Sequence, residues 1–317
     1  MNLTSPSQVR EWCLANGFRP NRTMGQNFLV DLNVLKAIVD AGLAPCAGKE
    51  SPAVLEIGPG LGVMTEELLA RGCRVTAVEK DPALAARLAA ALGNPSGLSV
   101  VEGDALDVVA GRGAVAAFDP AAFDCMVSNL PYQAGTRILL ELVERRAPAA
   151  MTALMQTEVA DRLAAKEGSR ARGLAGVLAQ LDYDVEVVRK VSASCFWPRP
   201  EVGSAVVRLV CHDRAAAMSP EERRMFRRIV KRGFEHRRKQ LGGVFRGLLE
   251  STARAEELSV EDWKGLAAAF VRGGAEIIPD GHTILRAGDE LEILTREQDV
   301  ADVESLVDAR CHTVVKM

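Results

Sequence analysis

Short apolar runs and helical-period stretches take turns along most of this chain. Runs at 54–57, 74–78, 98–101, 124–128 and 151–155 are bounded by glycine, proline or acidic residues and are predicted as buried strands. Between them, 64–71, 83–92 and 135–145 carry apolar residues three and four apart, the spacing of a helix with one buried face. Such alternation predicts an α/β fold, a Rossmann-like parallel sheet with helices on both faces. Two helices precede it, at 7–16, stopped by Gly17, and at 32–41, with a loop at 25–31 between them. A helix at 174–181 and strands at 183–191 and 204–210 follow. Ser219-Pro220-Glu221 then offers an N-cap with proline at the first helical position, and the chain reads as helical to about 270. The expected division is an α/β domain at 1–212, a small helical domain at 213–270 and a C-terminal extension at 271–317. The extension reads as short strands between turns such as Pro279-Asp280-Gly281.

The chemistry-bearing residues fall at the carboxyl ends of successive strands, where open α/β sheets bind ligands. The first strand runs into Gly58-Pro59-Gly60-Leu61-Gly62. Glycine lets a backbone approach a ligand closely. A dinucleotide fingerprint needs a small residue at 63, and Val63 stands there, so a ligand without phosphates is favoured over a diphosphate. Glu79 ends the second strand at a distance that suits a bidentate grip on ribose hydroxyls. After the third comes Gly103-Asp104-Ala105, a carboxylate to accept from an adenine amino group and an amide to donate to a ring nitrogen. After the fourth comes Asn129-Leu130-Pro131-Tyr132. The Asn129 amide oxygen and a backbone carbonyl, of Leu130 or Pro131, are acceptors that match the two N–H donors of adenine N6. Tyr132 supplies a flat face for an extruded base. Alone, the tetrapeptide also fits a strand ending in a proline turn with a core tyrosine.

Composition adds one local contrast. With 317 residues, 48% hydrophobic, and a net charge of −3, the whole chain does not read as a nucleic-acid binder. Yet nine basic residues, Arg223, Arg224, Arg227, Arg228, Lys231, Arg232, Arg237, Arg238 and Lys239, crowd into seventeen positions. Phe226, Ile229, Val230 and Phe234 recur among them at helical spacing, so one face packs and the rest is basic. The competing reading is a solvated helix face. The seven cysteines form no metal spacing, their number is odd, and the four histidines lack partners at ligand spacing. No metal is expected, and a reducing compartment is. No N-terminal apolar leader and no apolar run of membrane-spanning length is present, so a soluble cytoplasmic protein without a membrane partner is expected.

Taken together and in order, several motifs resemble those of the rRNA adenine N6,N6-dimethyltransferases of the KsgA type. They are Gly25-Gln26-Asn27-Phe28-Leu29, Glu56-Ile57-Gly58-Pro59-Gly60-Leu61-Gly62, Val78-Glu79-Lys80-Asp81, Gly103-Asp104-Ala105 and Asn129-Leu130-Pro131-Tyr132, then the run from Phe196-Trp197-Pro198 to Leu209 and Arg237-Arg238-Lys239-Gln240-Leu241. The resemblance covers residues from about 5 to 270. It implies S-adenosyl-L-methionine as cofactor and dimethylation of two adjacent adenosines in the 3′-terminal hairpin of small-subunit (16S) rRNA, on an assembly intermediate, by a monomer. It implies that Asn27 and Leu29 close the cofactor site beside Gly58, Gly60, Glu79, Asp104, Ala105 and Asn129, with Gln26 either helping or packing. Phe196 is the candidate for the second face of the target base, or else a plain core residue. Three positions depart from the family pattern. One base, Arg22, stands where a pair is common before Gly25. Arg172-Gly173 replaces Tyr-Gly, and Gly243 replaces an asparagine. None touches the catalytic tetrapeptide or the cofactor positions. Residues 271–294 resemble the second half of the C-terminal ligand-binding module of potassium-conductance regulators. Three other readings remain: an RNA-binding assembly factor with weak or lost catalysis, an enzyme of large-subunit rRNA, and a nicotinamide dehydrogenase. The last is opposed by Val63.

Overall fold

The computed structural model describes residues 2–21, 25–112, 118–212 and 218–273. Seven strands make one sheet: β2 (Ala53–Ile57), β3 (Arg74–Glu79), β4 (Leu98–Glu102), β5 (Cys125–Asn129), β6 (Ala150–Gln156), β7 (Tyr183–Val191) and β9 (Ser204–Cys211). Their order is β4-β3-β2-β5-β6-β9-β7. The pairs from β4 to β6 are parallel, and β9 lies antiparallel between β6 and β7. Strand order reverses between β2 and β5, so the crevice that a doubly wound sheet leaves open lies at the carboxyl ends of those two strands.

The strands bury both faces. Val54 and Leu55, Met126 and Val127, and Ala153 and Leu154 each split between two apolar clusters, as a two-residue period requires. One cluster is closed by α5 (Ala105–Val109), α6 (Gly135–Arg145), α7 (Thr157–Ala164) and α8 (Leu174–Asp182), through Val108, Ile138, Leu163 and Ala179. The other is closed by α2 (Leu32–Leu43), α3 (Val63–Ala70) and α4 (Pro82–Ala91), through Ile38, Leu68 and Leu88. Aspartates start several of these helices. The side chains of Asp31, Asp81 and Asp104 accept from the backbone N–H groups of Val34, Ala83 and Leu106.

Four sequence expectations change. The loop expected at 25–31 contains β1 (Phe28–Leu29), which pairs antiparallel with β8 (Phe196–Trp197) far along the chain. Helix α5 is little more than one turn, too short for a periodic signal. Helix α7 buries only Ala160 and Leu163 and follows β6 without a break. The segment read as helical to 270 is instead α9 (Pro220–Glu235), α10 (Leu241–Val244) and α11 (Val260–Arg272). Arg237, Arg238 and Lys239 therefore stand beyond the end of α9. At the other end α1 (Pro6–Ala15) packs through Val9 and Cys13 beside Phe28. The strands expected in 271–317 lie outside the described residues from 274 onward.

The helical segment has its own buried set, Phe226, Ile229, Val230, Trp263 and Phe270, yet it joins the α/β part in one compact unit. A buried carboxylate makes the joint. Asp182, at the end of α8, accepts from both terminal nitrogens of Arg223 at 2.9 and 3.0 Å and lies 3.1 Å from Arg146 Nε. Asp182→Ala removes the carboxylate that both guanidinium groups share. A loss of about 3 kcal/mol is expected from removing one partner of a buried ion cluster. Equilibrium urea unfolding checks it, and a loss within the range of a surface substitution would refute the joint.

Candidate active site

The four strand ends converge on one cleft, closed on its outer side by the segment 25–29. Asn27, Leu29, Gly58, Gly60, Glu79, Asp104, Ala105, Asn129 and Pro131 all line it. The glycine turn is needed twice over. Gly58 and Gly60 have φ of 69° and 58°, in the left-handed region. A Cβ on Gly60 would also stand 3.0 Å from the Phe28 ring, which roofs the turn.

Two acids shape the far wall. Glu79, 6% exposed, accepts from the Gly60 N–H at 3.0 Å and the Asp81 N–H at 2.9 Å, one on each oxygen. Each oxygen keeps a second acceptor site, which suits a vicinal diol. Burial pushes its pKa up while those N–H groups hold it down. Asp104 accepts from Leu106 N–H with one oxygen and from Lys80 Nζ at 2.7 Å with the other. Lys80 keeps its carboxyl below the usual range. The Ala105 N–H opens α5 and is one of the donors a helix start leaves without an intrahelical partner. The basic side chain here, Lys80, is already held by Asp104. The donor set fits a nucleoside with a cationic or neutral tail and opposes a diphosphate.

Glu56 is a cleft residue to which the sequence reading gave no role. It is 2% exposed, accepts from Thr65 Oγ1 at 2.7 Å, and burial pushes its carboxyl up to about 8. Its place in the motif before the glycines was visible. Its depth beneath the turn was not.

The segment 25–29 links the two halves of the cleft. Gln26 Nε2 donates to Asp81 Oδ2 at 3.0 Å, beside the ribose-side acid, and Gln26 Oε1 accepts from Asn21 N–H. At the other end Asn129 Nδ2 donates to the Asn27 carbonyl at 3.1 Å. That bond assigns the amide, because with Nδ2 taken, Oδ1 is the atom left as acceptor. The two carbonyls left open by sequence also separate. The Pro131 carbonyl accepts from Gly135 N–H at 2.7 Å and Ala134 N–H at 3.2 Å, starting α6. With the Pro131 carbonyl so engaged, the Leu130 carbonyl is the second acceptor the turn can offer.

Tyr132 and Phe196 part company. Tyr132 is half-buried beside the cleft, its hydroxyl 2.6 Å from Ser204 Oγ. Phe196 is 3% exposed and packs in the cluster of Leu29, Ile38 and Val206. Of the two readings left open for Phe196, this burial fits the plain core residue. Pairing with β1 turns the ring into the core, and the aromatic that lines the cleft is Phe28.

The basic run also divides by helix face. Arg223 is held by Asp182 and Arg227 by Glu144 of α6, so both act in the joint with the α/β part, correcting their assignment to RNA. Arg224 and Arg228, one turn apart on the other side, are exposed, as are Arg238 and Lys239 beyond the helix. Lys231 and Arg232 lie 3.9 Å from Glu235. Arg237 donates to the Arg170 carbonyl.

A family model described as ribosomal RNA adenine dimethylase matches residues 17–262. The ribosomal RNA small subunit methyltransferase A of Deinococcus radiodurans is 37% identical over 286 residues, 84% of this chain and 91% of that protein. The protein of the same description from Phenylobacterium zucineum is 38% identical over 282 residues, 86% and 95% of the two chains. Among solved structures, a dimethyladenosine transferase from Plasmodium falciparum aligns with a TM-score of 0.65 at 22% identity, covering 77% of this chain and 97% of that one. The 23S rRNA methyltransferase ErmE aligns at 0.59 and 23%, covering 77% and 99%. These two likenesses speak for the fold alone. Among the described residues no helix is long and apolar enough to cross a membrane.

Burial of Glu56 sets a pH dependence. A carboxyl raised from 4.5 to about 8 stays protonated in the folded chain where the unfolded chain releases its proton. Its contribution to stability is whole below the ordinary carboxylate range and is lost as pH rises through about 8. The raised Glu79 acts with the same sign. Glu56→Gln, neutral throughout, should give a flatter curve of urea midpoint against pH between about 5 and 8 than the wild type. Parallel curves would mean that Glu56 ionises normally.

Proposed function

The chain belongs to the ribosomal RNA adenine dimethylase family, and we propose that it uses S-adenosylmethionine to dimethylate N6 of two adjacent adenosines in the 3′-terminal hairpin of small-subunit rRNA. The observation that supports the chemistry is the hydrogen bond from Asn129 Nδ2 to the Asn27 carbonyl, which leaves Asn129 Oδ1 as an acceptor for an adenine amino group, with the Leu130 carbonyl as the second. The small subunit is favoured over the large one by the 37–38% identical relatives described as small-subunit methyltransferases. Dinucleotide chemistry is opposed by Val63, where the fingerprint needs a small residue, and by the engagement of Lys80 with Asp104.

An adenine amino lone pair is delocalised into the ring and is a poor nucleophile. Asn129 Oδ1 and the Leu130 carbonyl accept its two N–H groups and favour a tetrahedral nitrogen, turning the lone pair out of the ring plane. The cofactor, when bound, supplies an electrophilic methyl on a sulfonium. Gly58 and Gly60 allow the backbone to approach its amino-acid end, Glu79 holds the ribose, and Asp104 with Ala105 reads the adenine. No strong base is needed, because the proton becomes acidic only after transfer. Positioning and fixed dipoles supply the rate. The target base must leave its stack, which costs less in a loop than in a duplex, and Tyr132 offers it a face. Arg224, Arg228, Arg238 and Lys239 are the side chains assigned to phosphates. On this reading we assign the protein to the cytoplasm, as a monomer that acts on an assembly intermediate.

The test is incubation of the purified protein with methyl-labelled S-adenosylmethionine and small subunits lacking these methyl groups, with the product mapped. Label on adenine N6 of the 3′-terminal hairpin is expected, and label elsewhere or none overturns the reading. Two variants separate the roles. Asn129→Ala should lose about a hundredfold or more in rate, the typical cost of one aimed polar group, with cofactor affinity little changed. Glu79→Ala should weaken cofactor binding about tenfold or more in calorimetry, since charge-assisted hydrogen bonds are each worth about 1.5–3 kcal/mol.

The RNA assignment is tested by reversing Arg224, Arg228, Arg238 and Lys239 to Glu together. Subunit binding should fall and its log–log salt dependence flatten by about one unit for each phosphate no longer neutralised, with cofactor binding intact. An unaltered slope would leave the run as a solvated face.

A further inference from the structure

Tyr132 is tethered at both ends. Its backbone sits in the turn between β5 and α6, where the Pro131 carbonyl is bonded to the Ala134 and Gly135 N–H groups. Its hydroxyl lies 2.6 Å from Ser204 Oγ. Ser204 is fully buried at the start of β9, paired with Gln156 of β6 on one side and Val191 of β7 on the other. The anchor therefore lies on the central one of three hydrogen-bonded strands, at the end of the ladder nearest Tyr132. A phenylalanine would stack on a base as well as a tyrosine. A hydroxyl taken out of water needs a partner, and here the partner is a buried group on a rigid element.

We infer that Ser204 is a positioning residue for methyl transfer, fixing where the far end of the Tyr132 ring sits and so the position at which the target N6 meets the methyl group. This rests on the adenine methylation proposed above and adds to it a residue that touches neither base nor cofactor. The attack is in line, so tilting the stacked base carries N6 off the acceptors at Asn129 and Leu130 without changing how tightly RNA or cofactor binds. Displacement on the order of 1 Å costs about a hundredfold in such reactions.

The experiment is a double-mutant cycle of Ser204→Ala, Tyr132→Phe and the pair, on small subunits lacking the methyl groups. Single-turnover rate, subunit KM, cofactor affinity and the fluorescence of 2-aminopurine at the target position in a hairpin RNA are read together. Each single variant should lose about tenfold in single-turnover rate, a fraction of the full misplacement cost. Subunit KM and cofactor affinity should stay near wild type, and 2-aminopurine should be less quenched. The pair should be no worse than either alone, because both remove the same hydrogen bond. Ser204→Ala at the wild-type rate, or penalties that multiply, would overturn the inference. Should Ser204→Ala fail to fold, Tyr132→Phe carries the test, and its wild-type rate would overturn it equally. A wild-type protein that leaves adenine unmethylated overturns the functional reading and this one with it, whereas an active wild type beside an unaffected Ser204→Ala refutes this one alone.

Discussion

The hydrogen bond from Asn129 Nδ2 to the Asn27 carbonyl joins residues 102 positions apart and decides which atom of that amide faces the cleft. Much of the site depends on it. Without the 25–29 segment in place, a carboxamide at a strand end can present either its oxygen or its nitrogen. The segment is itself held by two distant parts of the chain: Asp81 through Gln26, and β8 through a two-residue ladder that the Val30 N–H extends to the Cys195 carbonyl. The wall of the cleft and the orientation of the Asn129 amide are thus one structural element.

Charge is sorted around this element in opposite senses. Acids line the cleft, where Glu79 and Asp104 lie within reach of a nucleoside and Glu56 is pushed by burial towards its neutral form. Bases cluster on α9 and the turn after it. A net charge of −3 hides both populations. The segregation suits a protein that meets a cationic small molecule at one place and a polyanion at another. A uniform surface of the same net charge would serve neither well.

The basic run also shows that a run of charge is not by itself a binding surface. Helix α9 turns Arg223 and Arg227 towards acids of the α/β part and Arg224 and Arg228 to solvent. The first pair stabilises the junction of the two parts, and the second pair faces outward, where a polyanion would meet it. A residue type repeated at every position of a helix meets a different environment every hundred degrees.

Local rules placed the sheet, its strand ends and the acids and glycines on them, because strand periodicity and glycine turns are written within a few residues of each other. Gly58, Gly60, Glu79, Asp104 and Asn129 were legible for that reason, and they meet in the cleft. What the chain order could not express was decided by tertiary contacts. The pairing of Phe28–Leu29 with Phe196–Trp197 spans most of the chain and sends Phe196 into the core instead of towards a base. The engagement of the Pro131 carbonyl follows from where α6 begins, and the neutral tendency of Glu56 from how deep the turn buries it. Sequence determined which groups stand at the strand ends. The long-range pairing determined which way they face, since direction depends on partners that periodicity does not encode.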